Sequence, residues 1–271
     1  MMNSTMKKIL CPCDFSMTSL HGIEYAASIA QQINAMITLC HIQPSIWPET
    51  VFLEPIVEES TELATEKMET IANNISRQFG IKTNHINPRS TDTVEGTIGD
   101  LSDEYDLIIM GTNGVDDTFQ FIFGSTSFNV AKNAACPILL IPENWNNQLP
   151  EGIVYIHHES INPDLDILAP VWWSQMMNIP FGIWILSSGD ELEDRQQTRT
   201  ISEELKTGGP ENLISFVEIH PGPNRKSPRH KWIHALAINH LKTSSKNSGI
   251  KMLRKWTSTI EGPLLVFGVS S

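Results

Sequence analysis

Leu107-Ile108-Ile109-Met110-Gly111-Thr112-Asn113-Gly114, followed after nine further residues by Gly124-Ser125-Thr126, is the stretch on which the fold turns. An apolar run of strand length ends in two glycines, and two hydroxyl residues open an amphipathic pattern. Glycine lets backbone approach a ligand closely, and a helix start offers free N–H groups and a partial positive charge to an anion. Ser125 and Thr126 add hydroxyl donors at the same place. The order strand, glycine turn, helix therefore fits a phosphate loop running from Gly111 to Ser125, and it also fits a plain turn with a helix start.

Outward from this loop, short apolar runs alternate with longer amphipathic ones, the signature of βαβ units and a parallel sheet. The pattern predicts strands over Lys8–Cys11, Met36–Ile42, Lys82–Ile86, Leu107–Met110 and Ile138–Ile141. Helices are predicted over Ser16–Asn34, with Ile23, Ala26, Ala27, Ala30 and Ile33 as its apolar stripe, and over Glu58–Gln78, with Leu63, Met68, Ile71 and Ile75 inward. Thr93–Glu104 and Ser125–Asn133 complete the set. Asp14 and Ser16 are both suited to cap the first helix. The polar, proline-bounded stretch up to Pro150 reads as a linker, and the rhythm then recurs. Strands are expected at Ile153–Ile156, Phe181–Leu186, Leu213–Ile219, Ile233–Ile238 and Leu264–Val269, with helices at Asp164–Met177, Asp190–Lys206 and Gly249–Ile260. The expectation is an α/β chain of two domains, 1–143 and 151–271, joined by 144–150. Each is an open, mostly parallel, Rossmann-like five-stranded sheet with helices on both faces.

Composition narrows the function. Residues 1–147 carry 18 acidic and 7 basic side chains, net −11, while 148–271 carry 13 and 12, net −1. An acidic first half argues against non-specific nucleic-acid binding, which needs cations to displace counterions from phosphates. No apolar run approaches the roughly 18 residues of a membrane span, and Met1–Lys8 is polar with no apolar signal core behind it, so no membrane partner and a cytoplasmic location are expected. Cys11, Cys13, Cys40 and Cys136 sit in or beside apolar runs and read as core residues. A metal site at Cys11-x-Cys13 lacks companion ligands.

Gly111-x-x-Gly114, the nine-residue gap and Gly124-Ser125 match the G-2x-G-9x-G-(S/T) signature of the ATP-binding universal stress proteins. The similarity extends beyond the loop. Lys7-Lys8-Ile9-Leu10-Cys11-Pro12-Cys13-Asp14-Phe15-Ser16 resembles the family's first strand and its P-x-D-x-S turn. Cys40-His41-Ile42 resembles its second-strand ending, and Cys136-Pro137-Ile138-Leu139-Leu140-Ile141 its closing strand. The resemblance implies an ATP or related adenine-nucleotide site. In it Pro12 and Asp14 line the adenine and ribose side, Ile42 contacts adenine through its backbone, and Met110 and Gly111 lie beneath the nucleotide. Gly114, Gly124, Ser125 and Thr126 surround ribose and phosphates. Asp14 is also the candidate ligand for a companion Mg2+ or Mn2+ ion, a role compatible with helix capping.

Two departures qualify the resemblance. The gap from Val115 to Phe123 holds Asp116 and Asp117 and no base, although members of the family often carry Lys or Arg there. Carboxylates beside a triphosphate repel it unless they point away or share a cation, so weak or metal-dependent binding is expected. Phe119, Phe121 and Phe123 read as loop packing. In the second half the phosphate loop is missing: His157-His158-Glu159-Ser160 follows the first strand, and a single glycine, Gly249, follows the fourth. This half resembles a degenerate universal stress domain. Adjacent histidines on a strand end point in opposite directions, which disfavours a joint site at His157 and His158. Arg225, Lys226, Arg229, His230 and Lys231 form a basic loop, solvated or docked on an acidic surface. Trp172 and Trp173 read as one core and one interface residue. The family pairs its domains through their last strands. The resemblance thus implies an intramolecular pseudo-dimer, a homodimer being the other arrangement, with sheet edges covered either way.

No Walker lysine motif, G-x-S-x-G elbow or HExxH pair is present. The first expectation is a nucleotide-binding stress or sensor protein. Two alternatives stay open: a low-turnover ATPase that phosphorylates itself at Ser125, and an interaction module that has lost its ligand.

Overall fold

Ser16 starts the first helix: its side-chain oxygen accepts the N–H of Ser19 at 3.1 Å, satisfying one of the free donors of the first turn. Helix α1 (Met17–Ile33) ends at Asn34, whose left-handed φ of 53° turns the chain toward the next strand. Asn tolerates that conformation better than branched residues do. In this computed structural model, residues 6–44, 54–90, 92–112, 125–146, 148–157, 167–208, 214–220, 231–237 and 262–267 are described. They fall into two compact units, the first reaching Glu143 and the second beginning at Asn144.

The first unit contains β1 (Lys8–Pro12), β2 (Met36–Cys40), β3 (Gln43–Pro44), β4 (Lys82–Ile86), β5 (Arg89–Ser90), β6 (Leu107–Thr112) and β7 (Ile138–Pro142). Its main strands lie in the order β7-β6-β1-β2-β4, every described pairing parallel. α1 packs with α2 (Glu54–Phe79) and α3 (Val94–Leu101) with α4 (Ser125–Asn133), the two pairs that right-handed crossovers in this strand order assign to opposite faces. Strands β1, β2, β6 and β7 are buried on both faces, as continuous apolar runs such as Ile108, Ile109, Leu139 and Leu140 require, whereas the edge strand β4 alternates between exposed and half-buried residues.

Several expectations change here. Strand β6 runs two residues past Met110, because Gly111 and Thr112 pair with Ile141 and Pro142 of β7. Strand β2 stops at Cys40, and Gln43–Pro44 pairs instead with Arg89–Ser90 as a separate two-stranded ribbon. The buried stripe of α2 is Ala64, Met68, Ala72 and Ile75, whereas Leu63 is 51% exposed. Alanines four residues either side of Met68 let the helix lie close to its neighbours, and Leu63 falls off that stripe. The third helix gives way at Ser102 to a 3-10 turn, Ser102–Glu104, where the Ser102 hydroxyl donates to Gly99 O and accepts Ala135 N–H at 2.8 Å.

The second unit contains β8 (Ile153–His157), α5 (Leu168–Met177), β9 (Phe181–Leu186), α6 (Glu191–Gly208), β10 (Ile214–His220), β11 (Ile233–Ala237) and β12 (Leu264–Phe267). Its strands run β10-β9-β8-β11-β12, which repeats the order of the first unit strand for strand. All six residues of β9 are buried. Trp173 is fully buried, and Trp172 meets it edge to face at 4.8 Å. The stretch read as a linker carries a buried tryptophan, Trp145, whose ring N–H donates to Gln148 O at 3.2 Å. Lys231 pairs with Glu151 at 2.9 Å. The expected helix 249–260 and the basic residues 225–230 lie outside the described residues.

Candidate functional site

The parting of two strands creates the site. On either side of β1 the backbone groups of Lys7 and Cys13 point toward β2, since Lys7 O accepts Met36 N–H and Cys13 N–H donates to Cys40 O. Lys8 O accepts Asp106 N–H, so the even-numbered residues point toward β6. Pro12 falls on that side and has no N–H to give. Pairing of β1 with β6 accordingly ends at Leu10↔Ile108, although β1 continues to Pro12 and β6 to Thr112. The strand order reverses at this point, and open α/β sheets bind ligands in the crevice outside the carboxyl ends of their strands where it does so.

One rim of the crevice is the Asp14 turn. Asp14 Oδ1 accepts the Ser16 N–H at 3.0 Å and the Ser16 hydroxyl at 2.6 Å, while Ser16 rather than Asp14 caps the helix. Partial burial pushes the Asp14 pKa up, but the Ser16 hydroxyl and N–H, with Ser19 and its own backbone, outweigh it and hold the carboxyl below its ordinary range. An exposed carboxylate that stays ionised suits a hydroxyl donor or a cation. Between Asp14 and Ser16, Phe15 adopts a left-handed φ of 66°, uncommon for a bulky residue.

The other rim is Ile42. His41 N–H donates to Ile86 O and Gln43 N–H to Pro88 O, both away from β1. The intervening Ile42 therefore turns its N–H and C=O to the opposite edge, the one where Cys40 O meets Cys13 N–H. A main-chain donor and acceptor side by side can read the hydrogen-bonding edge of a planar base.

The floor is β6. Met110 is 8% exposed, and the side of Gly111 where a Cβ would stand is occupied by α1: an added Cβ would lie 2.0 Å from Thr18 O. The reciprocal Cβ at Gly22 would lie 2.4 Å from Gly111 N. The glycine at 111 is required by this helix–strand contact, a reason the loop motif did not reveal. Ser125 and Thr126 open α4, Thr126 being exposed, while Gly114, Gly124 and the rest of 113–124 lie outside the described residues. Sequence reasoning passed over Phe15, His41, Thr18 and Gly22. A glycine inside an otherwise regular helix pattern was the one local signal, since it marks a close approach.

Among the described residues no group of three or more His, Cys, Asp or Glu side chains is arranged to hold a metal ion. Three of the four cysteines are core: Cys11, Cys13 and Cys40 are buried, whereas Cys136 is half-buried, and burial first, then neighbouring Cys13, pushes the Cys40 thiol up to about 12. In the second unit His157 ends β8 in a buried position, while His158 and Glu159 lie outside the described residues. No helix among the described residues is long and apolar enough to cross a membrane.

The model of the universal stress protein family matches residues 5–142. A universal stress protein of Methanocaldococcus jannaschii is 29% identical over 149 residues, which cover 50% of this chain and 81% of the relative. A universal stress protein structure from Archaeoglobus fulgidus aligns over 96% of this chain and 98% of its own with a TM-score of 0.64 and 17% identity. A protein of unknown function from Pseudomonas aeruginosa does so over 97% and 93%, with a TM-score of 0.57 and 15% identity. At such identities the two structures show shared fold, and they show it across both units. The family match covers the strand order, the proline that parts β1 from β6 and the glycine loop alike, and this chain belongs to the universal stress protein family.

Proposed function

We propose that the first unit binds ATP, or a related adenine nucleotide, at the carboxyl ends of β1, β2 and β6, and that occupancy serves as a regulatory or sensing signal in a cytoplasmic stress protein. The observation that carries this reading is the parting of β1 from β6 at Pro12, with the Ile42 main chain on one rim and the ionised Asp14 turn on the other. In this reading Ile42 reads the base, Pro12 and Asp14 line base and ribose, and Met110 and Gly111 form the floor. Gly114, Gly124, Ser125 and Thr126 receive the phosphates, helped by the partial positive charge that a helix start such as that of α4 offers an anion. A single carboxylate fits a cation that arrives with the phosphates, the manner in which Mg2+ is usually held, and does not make a metal cage. Asp116 and Asp117 make the affinity depend on that cation.

Titration calorimetry with ATP and Mg2+ or Mn2+ tests the reading. Saturable binding weakened about tenfold or more by chelator is the expected result, since an uncompensated triphosphate meets two acids. Gly124→Val should abolish binding. No heat at millimolar nucleotide removes the reading in favour of an interaction module, and nucleotide consumption or phosphate on Ser125 replaces it with a low-turnover enzyme.

A further inference from the structure

The Phe15 backbone stands in a conformation that L side chains avoid, next to the carboxylate assigned to the nucleotide. A bulky side chain at positive φ is strained and persists only where surroundings enforce it. The surroundings are visible. The Phe15 ring lies 4.6 Å from the ring of His41, centroid to centroid and tilted by 42°, and the Lys67 ammonium stands 5.6 Å from the Phe15 centroid. His41 Nδ1 lies 2.8 Å from Cys13 O. A carbonyl only accepts, so Nδ1 carries the proton and donates it. His41 therefore grips the chain on both sides of Asp14, at Cys13 through its hydrogen bond and at Phe15 through its ring, while its own backbone leads directly into Ile42.

We infer that Phe15 and His41 are positioning residues that lock the Asp14 turn to the Ile42 main chain, fixing the spacing of the two rims before a purine nucleotide arrives. The inference rests on the proposed nucleotide reading and assigns it a device: strain held at Phe15 is exchanged for a preorganised gap between a carboxylate and a base-reading backbone. Preorganisation of this kind lowers the ordering cost of binding rather than adding a contact.

Phe15→Gly separates this role from a merely structural one, because glycine relieves the strain at φ 66° while removing the ring. The expected result is a melting temperature unchanged or raised, with the Kd for ATP and Mg2+ weakened about tenfold or more through the loosened rims. His41→Ala should weaken the Kd similarly. His41→Asn, whose amide nitrogen can stand where Nδ1 stands, should restore much of the affinity, and His41→Gln, which places it elsewhere, should not. Unchanged affinity in Phe15→Gly and His41→Ala, with the parent protein binding normally, overturns this inference alone. So does an affinity loss that only tracks a fall in melting temperature across the series. Failure of the parent protein to bind nucleotide overturns the proposed function and this inference together.

Discussion

Gly111→Ala should destabilise the first unit by at least about 3 kcal/mol, a loss reserved for overpacking that cannot relax. The added methyl would stand 2.0 Å from Thr18 O and 2.7 Å from Thr18 C, and both are main-chain atoms of α1 that no rotamer change can move. Relief requires the whole first turn of α1 to withdraw from β6, and that turn carries Ser16 with the Asp14 bond behind it. Nucleotide binding should therefore fall along with stability. Gly22→Ala meets the same contact from the other side, at 2.4 Å from Gly111 N, so one withdrawal of the helix relieves both. The double variant should then cost clearly less than the two single losses together, the non-additivity expected of residues in contact. Denaturant unfolding at neutral pH measures all three. A loss below about 1 kcal/mol for Gly111→Ala, smaller than any overpacked core allows, would show that α1 does not bear on β6 as described.

The second large effect lies in the other unit and is driven by acid. His234 is fully buried on β11, with the Trp184 ring at 5.5 Å, and Trp184 in turn stacks on the buried His220 at 4.4 Å. Burial above all, then the charge of His220, pushes the His234 pKa down to about 3 against an opposing hydrogen bond with the Trp232 backbone. In the unfolded chain a histidine titrates near 6.5. Above that pH both states are neutral and His234 leaves stability unchanged with pH. Between about 6.5 and 3 the unfolded state binds a proton that the folded state refuses, so stability falls as pH falls, by up to about 1.4 kcal/mol per pH unit. By pH 4.5 the loss from this one side chain should reach about 2–3 kcal/mol. His234→Leu should match the parent protein near pH 7 to within the cost of the Trp232 bond and lose much less stability on acidification. Urea midpoints at pH 7 and pH 4.5, followed by tryptophan fluorescence, give the comparison. Equal pH slopes in the two proteins would remove His234 as the acid-sensitive group.

How far the sequence reaches differs by feature. The strand rhythm of both units and the helices among the described residues were legible because they are written in apolar spacing over a few residues, and Phe181–Leu186 and Ser125–Asn133 match to the residue. The cap of α1 was legible to within two candidates, Asp14 and Ser16, because a short polar side chain bonds an N–H only two or three residues away, and the structure assigns it to Ser16. Leu63 was misplaced because a stripe built on two alanines looks weaker than one built on leucines, although small residues are what permit close helix contact. The ribbon of β3 with β5 was not legible, since two-residue strands have no period to read.

The sequence by itself determined the α/β class and the repeat of the strand order, and its resemblance to the universal stress proteins pointed to Pro12, Asp14, Ile42 and Gly111 as candidate site residues. Only the tertiary structure decided why they matter. Pro12 ends a ladder because β6 lies on its donor side, Gly111 is glycine because Thr18 of α1 stands where its Cβ would be, and Phe15 is strained against a ring 26 residues onward. His234 is kept neutral because apolar strands enclose it. Local propensity acts through neighbours in the chain, whereas these four effects act between atoms that only folding brings within reach.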